Sequence, residues 1–505
     1  MKSNKRLLYN TALLTGSSLF MRCIGMAYQI WLVGRIGAAG IGLFQLTMSV
    51  SMLATTVAVA GIRFACTRLI SQETGLGRHG GIEKTIVRCL AYSLFFGMSA
   101  ATILFACAEP IGFLWVGDAR TVLPLKILAV SLPFISASSV FAGYFTATGR
   151  VYKTAATQVS EQILRIVLVV FALRLVPDGD IEKSCAVVMG AGTVAEVFSF
   201  LLMLVLYIFD RRRHRLEGGV SPHLTTRMLG VALPLAASAF ARSSLSTLEH
   251  LLVPRGLRSS GMSADSALAG YGVIQGMVFP IISFPSCFLM AIAELIVPEL
   301  TEAQVSGKTE YISSVATSLI HKCLLFAIGA AGLLYTFADD LGTALYNSAE
   351  AGRYIRIFAM LTPVIYLDMV TDGMLKGLGQ HMYSMAFNIM DAAISVTLVY
   401  TILPRAALTG YIAIICFTEC FNFALSIRRL GTITELVIKI RNIFLPTACI
   451  IGAGQFSAFL IRFCGIETSA APGLIPAMLF CVAGYIFLLQ VCGLFGKREK
   501  SQANK

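Results

Sequence analysis

Apolar stretches of about 20 residues or more recur from one end of this 505-residue sequence to the other. Each stretch is long enough to cross a hydrocarbon core about 30 Å thick. In lipid, backbone N–H and C=O groups must be hydrogen-bonded to each other within a helix or around a closed barrel. These stretches lack the alternation of apolar and polar residues that barrel strands show. A mean hydropathy of +0.77 and a charged fraction of only 13% agree with a lipid environment. The sequence therefore predicts an all-α polytopic membrane protein without a soluble domain.

We expect about fourteen transmembrane helices, called spans 1 to 14. Their predicted bounds are 9–33, 41–67, 85–108, 122–147, 155–176, 185–209, 228–252, 268–298, 312–338, 355–378, 384–404, 406–427, 442–464 and 472–495. No connection between them is long enough for an independent domain, and the sequence has no G-x-x-x-x-G-K-[ST] phosphate-binding motif. The chain is therefore expected to be a transporter or flippase rather than an enzyme, with no catalytic residues and no cofactor.

Basic residues outnumber acidic ones by 40 to 27, which gives a formal net charge of +13. If the N-terminus is inside, about 24 of the 40 Lys and Arg residues fall on the inner face and about 11 on the outer face. This asymmetry predicts a plasma-membrane protein with both termini in the cytoplasm. It also favours contact with the lipid bilayer over nucleic-acid binding. The thirteen cysteines lie mostly in predicted spans and lack the spacing of metal ligands, so no metal site is expected.

The sequence aligns with itself at an offset of 230 residues, from about Gly40 to Val169. Glycines and prolines recur at this offset, which indicates that the same turns and kinks occur twice. Matching pairs include Gly40 with Gly270, Gly42 with Gly272, Gly112 with Gly342, Pro133 with Pro363 and Gly149 with Gly379. The second copy carries about ten extra residues in its first outer loop, near 254–265.

Six spans separate equivalent helices, and this even number gives both copies the same orientation, with an axis along the membrane normal. The predicted domains are an N-lobe of spans 1–6 at 1–215 and a C-lobe of spans 7–12 at 216–430. Spans 13 and 14 and a basic cytoplasmic tail follow at 431–505. Substrate is expected to bind between the lobes, and access alternates as they rock.

Among the charged residues within predicted spans, three arginines are candidates for substrate binding, because a charge at the bilayer centre costs at least roughly 2.5 kcal/mol and requires a partner or water. Arg22 in span 1 and its repeat mate Arg242 in span 7, which match at an offset of 220, are expected to converge on the axis between the lobes. Arg63 lies in the last turns of span 2. Guanidinium groups bind phosphate or pyrophosphate bidentately, so the three arginines predict a substrate-binding site. The alternative is that each arginine pairs with a carboxylate for packing or extends to an interface.

Four carboxylates within spans also follow the repeat, since Glu161 matches Asp391 at an offset of 230 and Glu196 matches Glu419 at an offset of 223. Glu161 lies one turn before Arg165, so a local ion pair is an alternative to a role in transport. Glu196 and Glu419 have no obvious local partner, which suggests proton coupling or bonds to the buried arginines. All four are therefore candidate coupling or cavity residues.

Several motifs resemble those of a known family. They are F-M-R-C-I-G-M-A-Y at 20–28, A-G-I-R-F-A-C-T-R-L-I-S-Q-E at 60–73, G-Y-F-T-A-T-G-R at 143–150 and L-I-V-P-E-L-T-E-A at 295–303. Over essentially its whole length the chain is similar to the polysaccharide biosynthesis (oligosaccharide flippase) family, which includes stage V sporulation protein B. This family is part of the multidrug/oligosaccharidyl-lipid/polysaccharide exporter superfamily.

The resemblance implies a two-lobed flippase of lipid-linked saccharide precursors of the cell envelope, in the sporulation subgroup for spore cortex peptidoglycan. Arg22 matches the first of the cavity arginines that function in related lipid II flippases, whereas Tyr28 stands where a further arginine is found. The alternatives are a cation-coupled multidrug antiporter of the same superfamily and a non-transporting membrane scaffold for envelope synthesis. The antiporter would need acidic residues for cationic drugs, but the mid-helix charges of spans 1 and 7 are basic.

Overall fold

The computed structural model describes residues 2–76, 79–177, 179–213, 223–436, 440–464 and 471–494. Almost all of these residues are helical and none of them forms a strand, so the predicted all-α fold is confirmed. The helices are α1 (Lys2–Val59), α2 (Ile62–Gly75), α3 (His79–Ala106), α4 (Ala108–Pro110), α5 (Val122–Ala129), α6 (Leu132–Ala147), α7 (Val151–Ala172), α8 (Ile181–Arg213), α9 (Leu224–Ser259), α10 (Ala264–Gly272), α11 (Phe279–Ser283), α12 (Ser286–Val305), α13 (Thr309–Thr336), α14 (Ala338–Tyr346), α15 (Ala349–Gly377), α16 (His381–Ile433), α17 (Arg441–Cys464) and α18 (Ala471–Val491). Short π-helical segments at Ile111–Val116 and Val273–Val278 and 3-10 turns at Ala119–Thr121 and Leu173–Leu175 connect some of them.

The two longest helices each contain a residue that leaves the helical conformation. In α1 this residue is Gly37 (φ 72°, ψ 176°), in a region that is essentially open to glycine alone. In α16 it is Ala407 (φ 48°, ψ −139°), which follows Pro404 by three residues. Each helix therefore covers two predicted spans without a connecting loop, spans 1 and 2 in α1 and spans 11 and 12 in α16.

Eleven helices in the described ranges are long and apolar enough to cross a membrane, or twelve if the bent pair Ala119–Ala129 and Leu132–Ala147 counts as one span. Because α1 and α16 each cover two predicted spans, this number is consistent with fourteen. The chain is a multi-pass membrane protein, and the count of fourteen itself stays a prediction.

The internal repeat is visible in the local backbone geometry. Gly149 and Gly379, which are 230 residues apart, both have φ 69°. The residue after each glycine donates its N–H to a carbonyl oxygen five residues earlier, at 2.8 Å in both copies. Gly117 and Asn347, another pair at the same offset, are likewise left-handed, with φ 74° and 50°. The same turns therefore recur in the two copies, as the glycine pattern predicts.

The chain divides into two compact units. The first comprises Met1–Tyr28, Arg35–Gly272 and Val396–Leu408, and the second comprises Gln29–Gly34, Val273–Ser395 and Thr409–Lys505. These units are defined by packing, whereas the predicted lobes at 1–215, 216–430 and 431–505 follow from the sequence repeat. The assignment of the lobes stays a prediction.

Glycine permits a very close helix crossing in the first unit. A Cβ atom at Gly42 of α1 would lie 2.1 Å from the carbonyl oxygen of Leu268 in α10, and one at Gly272 would lie 2.2 Å from that of Ala38. Contacts of this length exclude any side chain, because the opposing atoms belong to the backbone. Gly42 and Gly272 are also repeat mates, so equivalent residues of the two copies meet at this crossing.

The second unit is centred on α13 and α15, and the two helices outside the repeat belong to it. Tyr485 of α18 donates to the carbonyl oxygen of Leu325 in α13 at 2.8 Å. Gly332 of α13 packs directly on Ile450 of α17. The last two predicted spans are therefore an integral part of this unit.

Candidate substrate-binding and coupling site

The two repeat-related arginines lie in the first unit, on membrane-spanning helices, and both side chains are exposed. Arg22 is on the part of α1 that precedes the break at Gly37. Arg242 is near the middle of α9, which contains Pro234 and Pro254 within its length. The structure therefore leaves both side chains exposed on helices that are long and apolar enough to cross a membrane.

Hydrogen bonds beside Arg242 align α9 with the second half of α1. Thr56 donates to the hydroxyl of Ser243 at 3.3 Å, and Thr247 donates to the carbonyl oxygen of Ser49 at 3.0 Å. As the residue number increases along α9 it decreases along α1, so the two helices run antiparallel. At the level of Arg242, these bonds fix how α9 is rotated about its own axis relative to α1.

Arg63 is the second residue of α2 and is also exposed. Gly61 before it has φ 72°, and a Cβ atom there would lie 2.6 Å from the carbonyl oxygen of Ala232 in α9. Ala232 precedes Arg242 by ten residues, or about 15 Å along the helix axis. Arg63 therefore lies beside the helix that carries Arg242, roughly three turns towards its start.

Neither Arg63 nor Arg242 forms an ion pair within the ranges that the structure describes. A guanidinium group without a counter-ion is costly in lipid and requires water or an anionic ligand. For these two arginines, pairing with a carboxylate for packing finds no support among the described residues. Their role in substrate binding, like that of Arg22, stays a prediction.

In the first unit, Arg165 of α7 joins two of the candidate carboxylates. Its Nη2 atom lies 2.7 Å from Oε1 of Glu161 one turn earlier and 3.0 Å from Oε1 of Glu196 on α8. The local pair of Glu161 and Arg165 is therefore present, and Glu196 shares the same cation. Two carboxylates around one guanidinium group leave one excess negative charge, which a proton or a cation can neutralise.

In the second unit, Asp391 and Glu419 lie on α16, on either side of Ala407, and both are half-buried. Both take part in interactions within the protein. Ser395 occupies the position equivalent to Arg165, so the two copies of the repeat differ in charge. The role of the four carboxylates in coupling stays a prediction.

The first turn of α9 is bonded to the end of α2, a contact that the sequence did not indicate. Arg227 donates from Nη2 to Oε1 of Gln72 at 2.6 Å, and its Nη1 lies 3.6 Å from Oε1 of Glu73. Glu73 is fully buried, and neither of its carboxylate oxygens accepts a hydrogen bond from a described residue. Arg227 is therefore the charge partner that the structure provides for this carboxylate.

The last turn of α9 is bonded to the segment between α4 and α5. Arg258 donates from Nη1 to the carbonyl oxygen of Gly117 at 2.6 Å, and its Nη2 lies 3.9 Å from Asp118. Asp118 also pairs with Arg120 at 2.7 Å, and Arg120 contacts Asp265 of α10 at 2.8 Å. The helix that carries Arg242 is therefore held at both ends.

The extra residues near 254–265, which the sequence places in a loop, supply this contact. They are partly helical, because α9 continues through Pro254 to Ser259 and α10 begins at Ala264. Proline removes its own N–H donor and its ring crowds the carbonyl group four residues earlier, but the structure accommodates the buried Pro254 within α9. The insertion therefore extends α9 and brings Arg258 to Asp118.

The charge of Asp118 is expected to stabilise the protein. Burial raises the pKa of Asp118, but hydrogen bonds from Arg120 and the positive charges of Arg120 and Arg258 outweigh burial and hold that pKa below the ordinary 3.8. Asp118→Asn keeps the capping geometry and removes the charge, so the unfolding free energy should fall by about 1–3 kcal/mol at pH 7. This contribution is full above pH 3.8 and is lost as the pH falls through the folded-state pKa, so the two proteins should converge in acid.

Melting temperatures of the two purified proteins at pH 7 and in acid measure this effect. Glu310→Gln, which neutralises an exposed carboxylate, is the matched control. Equal melting of Asp118→Asn and the unmodified chain at pH 7 would contradict the expectation.

A family profile described as "Polysaccharide biosynthesis protein" matches residues 7–304. The chain is 24% identical over 499 residues to stage V sporulation protein B of Bacillus subtilis (strain 168). This alignment covers 97% of this chain and 96% of the relative. It is 21% identical over 491 residues to the lipid II flippase MurJ of the same organism, and this alignment covers 89% of this chain and 88% of the relative. The resemblance seen in the sequence motifs is thereby confirmed.

Solved structures show the same fold. A lipid II flippase MurJ in an inward closed conformation matches with a TM-score of 0.68 at 11% identity, over 95% of this chain and 98% of that one. An inward-facing multidrug resistance MATE family transporter of the MOP superfamily matches with a TM-score of 0.63 at 16% identity. The match covers 83% of this chain and 96% of that one. The family profile covers more than half of the residues, and the chain therefore belongs to the polysaccharide biosynthesis protein family.

Proposed function

We propose that this protein is a plasma-membrane flippase that moves a lipid-linked saccharide precursor of the cell envelope across the bilayer by alternating access. Similarity to stage V sporulation protein B suggests spore cortex peptidoglycan as the product that this precursor serves. The observation that carries the proposal is the exposure of Arg242, without an acidic partner among the described residues, on a membrane-spanning helix. A saccharide linked to lipid through phosphate or pyrophosphate supplies the anion that such a site lacks.

In this proposal Arg22, Arg242 and Arg63 bind the phosphate or pyrophosphate group of the substrate. Guanidinium groups replace the water that these oxygens lose on leaving the membrane surface, and their paired N–H donors match the geometry of phosphate. The lipid tail remains in the bilayer while the polar head crosses within the protein. The chain leaves its substrate chemically unchanged and needs neither a cofactor nor a catalytic residue.

The proposal places the N- and C-termini in the cytoplasm. The excess of Lys and Arg on the connections that share a face with the N-terminus supports this orientation. The chain then receives its substrate at the inner leaflet, where nucleotide-activated sugars are joined to lipid carriers. Maleimide labelling of single cysteines added to the two tails, in intact cells and in opened cells, tests the orientation.

Vesicles that contain the purified protein and a fluorescent lipid II analogue test the function. A membrane-impermeant reductant bleaches the outer leaflet alone, so flipping is measured as additional bleaching beyond the outer-leaflet fraction. We expect this additional bleaching with the active protein and none with heat-inactivated protein. Export of a cationic dye without lipid movement would indicate an antiporter instead, and movement of neither compound would favour a scaffold.

We further propose that Glu161, Arg165 and Glu196 couple transport to proton movement, because one arginine compensates only one of two carboxylates. Glu196→Gln removes the excess negative charge, so a pH gradient that accelerates lipid flipping by the unmodified protein should no longer do so. Glu182→Gln on the exposed start of the same helix is the matched control and should respond fully. A normal response of Glu196→Gln to the gradient would exclude this role for Glu196.

A further inference from the structure

We propose that Cys449 and Cys492 form a site of reversible oxidation, at which hydrogen peroxide converts the two thiols into a disulfide. Their sulfur atoms lie 3.8 Å apart, which is van der Waals contact. Cys449 is on α17, and Cys492 directly follows the last residue of α18. Both residues belong to the second unit. The site is independent of the proposed transport activity.

The pairing of α17 with α18 brings the two sulfur atoms together. Along this antiparallel interface Gly452 faces Leu488, and Ser457 donates to the carbonyl oxygen of Ala477 at 3.2 Å. Cys492 lies where the same register continues to the end of α18. A disulfide has a sulfur–sulfur length of about 2.05 Å, so the sulfur atoms must approach by less than about 2 Å, largely by side-chain rotation.

The two thiols differ in exposure in the way that stepwise oxidation requires. Cys492 is exposed, whereas Cys449 is only 6% exposed. Peroxide therefore reaches Cys492 first, and Cys449 lies ready to attack the oxidised sulfur. An exposed thiol beside a resolving thiol is the arrangement that redox-sensitive cysteines use.

The reaction balances without a further reagent. The Cys492 thiolate attacks one peroxide oxygen, the O–O bond breaks, and sulfenic acid and hydroxide form, the latter taking up the thiol proton to give water. The Cys449 sulfur then attacks the sulfenic sulfur, the S–O bond breaks, and the departing hydroxyl leaves as water with the Cys449 proton. Two thiols and one peroxide thus give one disulfide and two waters, with sulfur oxidised and peroxide reduced.

A second thiol pair in the first unit shows that proximity alone does not create such a site. Cys66 and Cys89 lie within hydrogen-bonding reach of each other, but both are completely buried. Cys66 donates to the carbonyl oxygen of Val140 at 3.5 Å, and Cys89 contacts the sulfur of Met228 at 3.7 Å. Peroxide cannot reach these sulfur atoms in the folded protein, so this pair should stay reduced.

Formation of the disulfide would join the end of α18 to α17 covalently.

Thiol counting on the purified full-length protein tests the proposal. After treatment with hydrogen peroxide, the protein is denatured and labelled with a maleimide polymer that shifts its gel mobility once for each free thiol. We expect the loss of two of the thirteen thiols, their recovery with dithiothreitol, and a peptide that links Cys449 to Cys492 in mass spectra. The unmodified gel mobility of a monomer under non-reducing conditions shows that the bond is intramolecular.

Two serine variants distinguish this site from general oxidation. Cys492→Ser should abolish the linked peptide, whereas Cys420→Ser, which removes another exposed thiol, should leave it unchanged. Size-exclusion chromatography of each variant establishes that it is folded. Persistence of the two-thiol loss in Cys492→Ser, or oxidation of Cys492 without a link to Cys449, would overturn the proposal.

Discussion

Replacement of Arg242 with alanine is expected to slow flipping of a lipid-linked saccharide by roughly ten- to hundredfold, while the amount of protein in the membrane stays normal. Hydrogen bonds from a charged group contribute about 1.5–3 kcal/mol when they are made to a desolvated partner, which corresponds to this range of rates. Arg242 is exposed and has no ion-pair partner among the described residues, so its loss should leave no carboxylate uncompensated there. The vesicle bleaching assay measures the rate directly.

A lysine replacement and the loss of a different exposed arginine provide the controls for this prediction. Arg242→Lys keeps the charge but loses the two-pronged geometry, and should give an intermediate rate. Arg353→Ala removes an exposed arginine near the start of α15 and should leave flipping unchanged. A normal rate for Arg242→Ala at normal protein levels would remove this arginine from the substrate site.

Replacement of Gly42 with alanine is expected to prevent accumulation of folded protein. The added Cβ atom would lie 2.1 Å from the carbonyl oxygen of Leu268, and the backbone of α10 would have to move to accommodate it. Overpacking typically costs about 1–3 kcal/mol, and a clash with backbone rather than with a flexible side chain should exceed this range. Gly272→Ala meets the same obstacle from the other side, because its Cβ atom would lie 2.2 Å from the carbonyl oxygen of Ala38.

A fluorescent fusion followed by size-exclusion chromatography of membrane extracts measures the folded amount of each glycine variant. Gly230→Ala is the matched control, since Gly230 is also helical and a Cβ atom there would contact nothing within 4 Å. It should accumulate normally and, as alanine favours helix, melt no lower than the unmodified chain. Normal accumulation of both Gly42→Ala and Gly272→Ala would show that the crossing of α1 and α10 is looser than described.

The sequence pattern was enough to predict those features of the fold that depend on backbone constraints. The match of Gly149 with Gly379 at an offset of 230 predicted a shared turn, and both residues have the same left-handed φ angle in the structure. Glycine at such a position reports backbone geometry directly, because few other residues adopt it. The long apolar stretches determined the all-α class in the same way, through a requirement that lipid imposes on every backbone group.

Contacts between distant side chains were not predictable in this way. Glu196 had no visible local partner in the sequence, yet it pairs with Arg165, which is 31 positions away on the neighbouring helix. Arg227 and Gln72 are 155 positions apart. Such pairs depend on how each helix is rotated about its axis, and a helix that is apolar on all sides carries little information about that rotation. The exposed arginines could be identified, but their surroundings could not.

The attachments of α9 determine where this helix can move. Arg227 ties its first turn to Gln72, and Arg258 ties its last turn to Gly117. Arg242 lies fifteen residues after the first attachment and sixteen before the second. At the level of Arg242, hydrogen bonds from Thr56 to Ser243 and from Thr247 to the carbonyl oxygen of Ser49 also join α9 to the second half of α1. Sideways bending of α9 at its midpoint would therefore have to carry this part of α1 with it or break both hydrogen bonds.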